Sequence, residues 1–328
     1  MPVGLNPDEH ELLARIAHRS YVDARTQEQI AEEFALSRPK VGRLLERARA
    51  TGVVDIHIDT PRGLDLGLED RLAEVFGLRH AIVAPAAAEP AEQRALVGRS
   101  AARYLERRLA DGQRVAVGHG RDLAALAAAF REPTATGCVF VSAMGGSPSV
   151  DAPTNPNEIA RVLADAADGT AHSLYAPAYV ADGQVRDQLR RQDAVGGVFD
   201  LAATAALALV GIGGTDDECT MVRSGCLSAA EIARLRARGA VGDVLGTYLD
   251  AAGAAITAPH SERVMGLSLT ELRNIPAVVA VACGPEKPLA ILGVLRAGIV
   301  DALVVDEPNA RAVLNLQSGA RADRAQES

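Results

Sequence analysis

Tryptophan is absent, and aromatic residues make up only 3% of the 328-residue chain. A chain so poor in rings has little to stack on unpaired bases, which excludes single-stranded nucleic-acid binding as its main activity. Lysine is scarce as well: of 34 cationic residues only Lys40 and Lys287 are lysines. The bias toward arginine runs through the whole chain, so the two exceptions mark places where a compact ammonium is wanted rather than a planar guanidinium. Cys138, Cys219, Cys226 and Cys283 form no C-x-x-C pair and no Cys/His cluster with zinc spacing. They read as buried thiols of a reducing cytoplasm, and no metal or other cofactor is expected. Long apolar runs are missing too. The most apolar stretch, Leu201 to Gly214, falls short of the roughly 18 residues a membrane span needs. No signal peptide precedes the first helix, so no membrane partner and a cytoplasmic location are expected.

What is present is a globular composition, 48% apolar, long enough for two domains with a sizeable core. Net charge is −8. Within that acidic chain, Ser37 to Ala50 holds five cations against one anion. Positive charge confined to one short stretch favours a small DNA contact over general coating of nucleic acid.

That stretch belongs to TQEQIAEEFALSRPKVGRLLERAR, Thr26 to Arg49. Thr26 with Gln29 makes a capping box, and Ile30, Ala31 and Phe34 give the helix behind it an apolar face. Ala35-Leu36 makes a turn at a place where glycine often supplies a left-handed residue. Alanine there costs about 1 kcal/mol or more. Ser37 is placed to cap a second helix with Pro39 in its first turn. Val41, Leu44, Leu45 and Ala48 then recur at helical period. At about 100° per residue Arg43 points directly away from that stripe, with Lys40 and Arg47 within about 60° on either side. A helix apolar on one side and cationic on the other suits a DNA major groove, where arginine and lysine donate to guanine O6 and N7. A solvated basic face is the plain alternative. The residues assigned to DNA are Thr26, Gln27, Ser37, Arg38, Lys40, Arg43 and Arg47. Pro7 to Asp23 reads as a first helix packed on this pair, and Val53 to Ile58 as a strand, a short wing. Residues 1–59 are thus a DNA-binding domain, residues 60–79 a linker helix opened by Thr60-Pro61-Arg62-Gly63, residues 80–317 an effector domain, and residues 318–328 a polar, disordered tail.

From His80 onward short β-rich runs alternate with helical segments. Strands are expected at Ala81 to Ala84, Arg114 to Val117, Val139 to Ala143, Ala208 to Ile212, Ala277 to Cys283 and Ala302 to Val305, which is the pattern of a mainly parallel α/β sheet. Ligands of such sheets bind beyond the carboxyl ends of the strands. Glycine turns fall there: Gly118-His119-Gly120-Arg121-Asp122, Gly145-Gly146, Gly211-Ile212-Gly213-Gly214 and Gly284-Pro285-Glu286-Lys287. Each alone is a tight turn. Four at one sheet edge argue for a shared pocket in which glycine N–H groups and helix N-termini approach an anion. Lys287 is placed to neutralise a phosphate, with Arg223 and Arg263 as further candidates. Asp243 is placed to accept hydrogen bonds from sugar hydroxyls, or simply to cap a turn.

Taken together, YVDARTQEQIAEEFALSRPKVGRLLERARATGVVDIHI, LALVGIGG, SGCLSAAEIARLRARGAVGDVLGTYLDAAG, ERVMGLSLTELRNIP and ACGPEKPLAILGVLRAGIVDALVVDEPNARAVL resemble the SorC/DeoR-type sugar-binding transcriptional regulators. The resemblance runs from about Leu12 to Leu314. It implies a winged helix-turn-helix joined to an effector domain similar to sugar-phosphate isomerases and CoA transferases. It also implies oligomers, dimers or tetramers, that bind operator DNA and answer to a carbohydrate or sugar phosphate. The implied pocket draws on Gly118 to Asp122, Gly145, Gly146, Gly211 to Gly214, Arg223, Asp243 and Lys287. Two departures stand out. Where the family commonly has Gly-Trp-Gly-Arg-Thr, this chain has His119 and Asp122. An aspartate repels phosphate, so the effector is unphosphorylated or its phosphate sits nearer Lys287. Lys40 and Gly42 replace the commoner threonine and serine, so no operator sequence carries over. Two other functions remain open at this point: an isomerase-like enzyme fused to a helix-turn-helix, with Asp243 or Asp122 as base and Lys287 as electrophile, and a constitutive DNA binder with a vestigial pocket.

Overall fold

The computed structural model describes residues 6–55, 65–131, 133–147 and 152–326, with side chains as far as Gly319. Its contacts divide the chain into two units, Met1–Thr60 and Pro61–Ser328.

The first unit is helical. Asn6 caps helix α1 (Pro7–Tyr21) by accepting from the Glu9 N–H. The Thr26 capping box forms as expected at the start of α2 (Gln27–Glu33), with Thr26 Oγ1 accepting from the Gln29 N–H and Gln29 Oε1 from the Thr26 N–H. The turn after α2 is a Schellman motif. The Leu36 N–H reaches the Ala31 carbonyl at 2.8 Å, and Ala35 takes φ 52°. Helix α3 (Arg38–Ala50) follows; Ser37 flanks it without a side-chain capping bond, contrary to expectation. Leu13, Ile16, Ile30, Val41, Leu45 and Ala48 close a small core. Val53 and Val54 form a bend rather than the start of a strand, and residues 56–58 of the expected wing lie outside the described residues, as does Thr60 to Gly63.

The second unit is built on a seven-stranded parallel sheet: β1 (His80–Ala84), β2 (Arg114–Val117), β3 (Val139–Ser142), β4 (Thr170–His172), β5 (Leu207–Gly211), β8 (Val278–Ala282) and β9 (Ala302–Asp306), in the order β1-β9-β8-β5-β2-β3-β4. Strands β6 (Ala240–Val244) and β7 (Thr247–Asp250) form a separate antiparallel hairpin. Every residue of β8 and β9 is buried, as suits strands covered on both faces. Alternate residues feed two cores: Val115 and Val117 face one, Ala116 the other.

Helix α4 (Leu66–Phe76) falls where a linker helix is expected, but it packs on the sheet. Leu68 and Leu72 are buried in the sheet unit's core, and Glu69 accepts from the Val83 N–H of β1. The last helix, α14 (Glu307–Gln326), also departs from expectation. Residues 318–326 continue it rather than forming a disordered tail, because their alanine, arginine and glutamine are strong helix formers.

The chain runs β2 to β3 to β4 toward one edge, then returns with β5 on the opposite side of β2. The strand order therefore reverses between β2 and β5. A crevice opens at the carboxyl ends of the strands at such a point.

Candidate functional site

Thr26, Gln27, Ser37, Arg38, Lys40, Arg43 and Arg47 are all exposed on the helical unit, opposite the buried Val41, Leu45 and Ala48. Gly42 leaves room beside Gln27: a Cβ at 42 would stand 3.5 Å from Gln27 Oε1. Arg47 is less available than its angular position suggests, since its guanidinium pairs with Glu9 of α1 at 2.8 Å. The Glu9 partner sits 38 positions earlier in the sequence, so the spacing within α3 gave no sign of it.

In the sheet unit, the crevice between β2 and β5 holds a cavity, at the kind of switch point where ligands of open α/β sheets bind. His119, Gly120, Arg121 and Asp122 line it from the turn after β2. Gly211, Gly213 and Gly214 do so from the end of β5, Asp243 from the hairpin and Lys287 from the turn after β8. Two helices start here, α6 (Arg121–Ala129) and α13 (Pro288–Arg296), and neither carries a side-chain cap. Their N-terminal dipoles and the Lys287 ammonium give the cavity a positive end. Lys287 is 6% exposed and donates to the Ile212 carbonyl at 2.6 Å. A second, smaller cavity adjoins the first across His119, Thr220 and Met221, and Gly145 lies on its wall.

The charges inside are set by burial. Asp243 is 2% exposed, and burial pushes its carboxyl up to about 6, against the pull of the Gly246 N–H and Lys287. His119 is pushed down to about 4 by burial and by Lys287, so its imidazole is neutral at physiological pH. Asp122 is raised by burial, against Lys287 and Arg94. Its carboxylate is occupied: Oδ1 accepts from Arg94 Nε at 2.9 Å and Oδ2 from the Cys283 N–H at 3.0 Å. The expected repulsion of phosphate by Asp122 is thus offset by Arg94 of α5 (Pro90–Arg108), and the residue ties α5, α6 and β8 together. The sequence reading missed Arg94. An aspartate at a turn meant for anions was the signal that a cation had to stand beside it.

The glycines also act differently from expectation. The N–H groups of Gly118, Gly120, Gly145, Gly146 and Gly213 are donated to Leu209, Thr154, Met265, Ala176 and Asp243 carbonyls, so none of these five is spare for an anion. Close approach explains two of them. A Cβ at Gly213 would collide with the Asp243 carboxylate, and one at Gly145 would collide with the Ala176 and Pro177 carbonyls. Gly118 lines neither cavity, and Gly146 lines a separate groove beside Tyr179 and Arg263. Arg223 is exposed and lines neither cavity. Met221 points inward from the single turn α10 (Thr220–Arg223), and a residue two further on is rotated about 200° from it. Arg263 is engaged with the Val180 carbonyl and Glu231.

A family model described as "Putative sugar-binding domain" matches residues 62–315. The transcriptional regulator LsrR of Klebsiella pneumoniae is 37% identical over 324 residues, covering 96% of each chain. The erythritol catabolism regulatory protein EryD of Brucella abortus is 30% identical over 313 residues, covering 95% of this chain and 98% of its own. The chain belongs to the SorC-type sugar-binding transcriptional regulators. The crystal structure of the full-length sorbitol operon regulator SorC of Klebsiella pneumoniae superposes on this regulator with a TM-score of 0.72 at 26% identity, covering 94% of this chain and all of SorC. Among the described residues of the regulator, no helix is long and apolar enough to cross a membrane, and no group of three or more His, Cys, Asp or Glu is placed to hold a metal.

Proposed function

We propose that this SorC-type regulator reads operator DNA through α3 and sets its DNA affinity by binding a carbohydrate or sugar phosphate at the β2/β5 crevice. One observation carries the effector half. Nine candidate residues scattered from His119 to Lys287 line a single cavity at the point where strand order reverses. Its positive end suits an anionic group and its buried carboxylate suits hydroxyls. The DNA half is supported by the exposed Arg38, Lys40 and Arg43 on a helix whose other side is core. The protein acts in the cytoplasm as a homo-oligomer, and the effector works by binding the DNA-competent and DNA-incompetent arrangements with different affinity, since only differential binding moves that equilibrium. No specific observation favours the enzyme reading. Asp122 has its oxygens committed within the fold, and the relatives are named as regulators.

The test is genome-wide mapping of bound DNA, followed by binding measurements on the operator found. Arg43→Ala should weaken operator binding by about 1–3 kcal/mol with little change on random DNA, as for a bidentate base contact. Arg47→Ala should cost less, because Glu9 already holds its guanidinium. Unchanged binding of Arg43→Ala to both DNAs would remove Arg43 from the reading surface.

A further inference from the structure

The two adjoining cavities differ in kind. Arg121, Asp122, Asp243 and Lys287 bring formal charge to the first. Among the residues lining the second there is no Lys, Arg, Asp or Glu. Its polar lining is neutral: His119, Ser147, Thr154, Asn155, Thr220 and Ser224, set among Met144, Met221, Ala178 and Pro156. Two buried polar atoms of that lining, His119 Nδ1 and Ser147 Oγ, have no hydrogen-bond partner among the described residues. Leaving a buried polar atom unpaired costs about 1–3 kcal/mol, and in native structures each such atom calls for an explanation. Two of them on one small, uncharged cavity are explained together by a ligand that supplies hydroxyl groups.

We infer that the second cavity is a distinct subsite that takes the uncharged, hydroxyl-bearing segment of the effector, with His119 and Ser147 as its specificity-determining contacts. This rests on the effector reading above and adds to it a division of labour. The first cavity holds whichever end carries charge or the most strongly hydrogen-bonding groups; the second checks hydroxyls. His119 lies on the shared wall, so it touches a ligand that spans both cavities. Its imidazole is neutral well below physiological pH, and a neutral imidazole both donates and accepts, as a hydroxyl partner requires. The same geometry accounts for a histidine where the related regulators commonly carry an aromatic ring. Exchanging apolar surface for a donor–acceptor pair turns a shape contact into one that rejects ligands lacking the hydroxyl.

The experiment uses the full chain and a panel of aldoses and linear polyols of three to six carbons, each with and without a terminal phosphate. Affinities come from calorimetry. The tightest member is then compared with its monodeoxy analogues in the wild type and in His119→Phe, His119→Gln, Ser147→Ala and Lys287→Met. In the wild type, loss of one particular hydroxyl should cost about tenfold or more in affinity, the worth of a buried hydrogen bond. That discrimination should collapse toward unity in His119→Phe or Ser147→Ala and survive in His119→Gln. Lys287→Met should weaken the parent and its deoxy analogues alike, leaving their ratio intact. Discrimination that persists in both His119→Phe and Ser147→Ala overturns the subsite while leaving the effector reading standing. If no member of the panel binds the wild type, the effector reading itself fails and the subsite falls with it.

Discussion

On the helical unit, Arg38, Lys40 and Arg43 stand in solvent with no ion-pair partner among the described residues, whereas in the sheet unit Lys287 is nearly enclosed and Asp122 and Asp243 are buried with it. An exposed cation without a partner in the fold is open to one from outside. A buried one is balanced from within, and every neighbour changes what it can do. The first arrangement suits a long polyanion met at a surface. The second suits a small ligand drawn out of water, where each hydrogen bond gained or lost counts in full because the local dielectric is low. The difference has consequences for mutation: losses on the helical surface should appear in binding, and losses around the pocket should appear first in folding.

The strongest test of that division is Arg94. Removing one partner of a buried ion pair leaves the other uncompensated, at a cost of about 3–5 kcal/mol. Arg94 is partly exposed, with 21% of its side chain accessible against 9% for Asp122, so about 3 kcal/mol is expected for Arg94→Leu in urea denaturation. Replacing Asp122 by Thr in the same chain should recover most of the loss, because the buried charge that needed neutralising is gone. A double variant as unstable as the sum of the singles would show that Arg94 acts through packing, not charge. On the helical unit no single cation should matter comparably to stability.

Next in size is a pair of opposed pH dependences inside the pocket. Asp243 holds its proton up to about pH 6 in the folded state and only to about 3.9 when unfolded. The folded state therefore binds more protons between those values, and the contribution of Asp243 to stability falls as pH rises through them. His119 is the reverse. Its folded value of about 4 lies below the unfolded value of about 6.5, so its contribution is full above the unfolded value and is lost as pH falls toward 4. In the wild type the two slopes oppose each other between about pH 4 and 6. Asp243→Asn should therefore gain stability relative to wild type as pH rises, and His119→Phe should lose it relative to wild type. Each slope is at most about 1.4 kcal/mol per pH unit. Urea denaturation from pH 4 to pH 7 measures both, and variant curves parallel to the wild type would place these groups in an environment unlike the one described.

The two units were also unequally legible from the sequence. Around α2 and α3 the capping box, the apolar stripe and the turn all act within a few residues of one another. Local pattern was therefore enough to place Thr26, Gln29, Val41 and Ala35 in the roles they fill. The sheet was read from its apolar runs, and β2, β5, β8 and β9 came close to their observed bounds. Missed were β4, with three residues, and the β6–β7 hairpin, whose tight turn places Leu245 at φ 49° ahead of Gly246. A leucine gives no turn signal. In the pocket the reach of local reasoning ended at the partner. His119, Asp122, Asp243 and Lys287 were visible as polar residues at glycine turns. The Arg94 that neutralises Asp122 sits 28 positions away on a helix, and no motif in the sequence singles out Ser147. The glycines showed where backbone is crowded, but carbonyls of the fold already take the N–H groups of five of them.

The smallest expected effect falls where the sequence was most legible, at Ala35. Its φ of 52° lies in the left-handed region, where a Cβ crowds the following carbonyl at a cost of about 1–2 kcal/mol. Glycine removes that cost but gives the unfolded chain more freedom, which takes back about 0.5–1 kcal/mol. Ala35→Gly should therefore stabilise the turn by a net ~0.5–1 kcal/mol. The gain belongs to the small helical core of Leu13, Ile30, Val41 and Ala48, so hydrogen exchange should slow for amides of α2 and α3 and stay unchanged in the sheet strands. Slowing that extended to β2 and β5 would break the comparison between the units, because it would mean that the turn between two surface helices and the crevice of the sheet unfold as one.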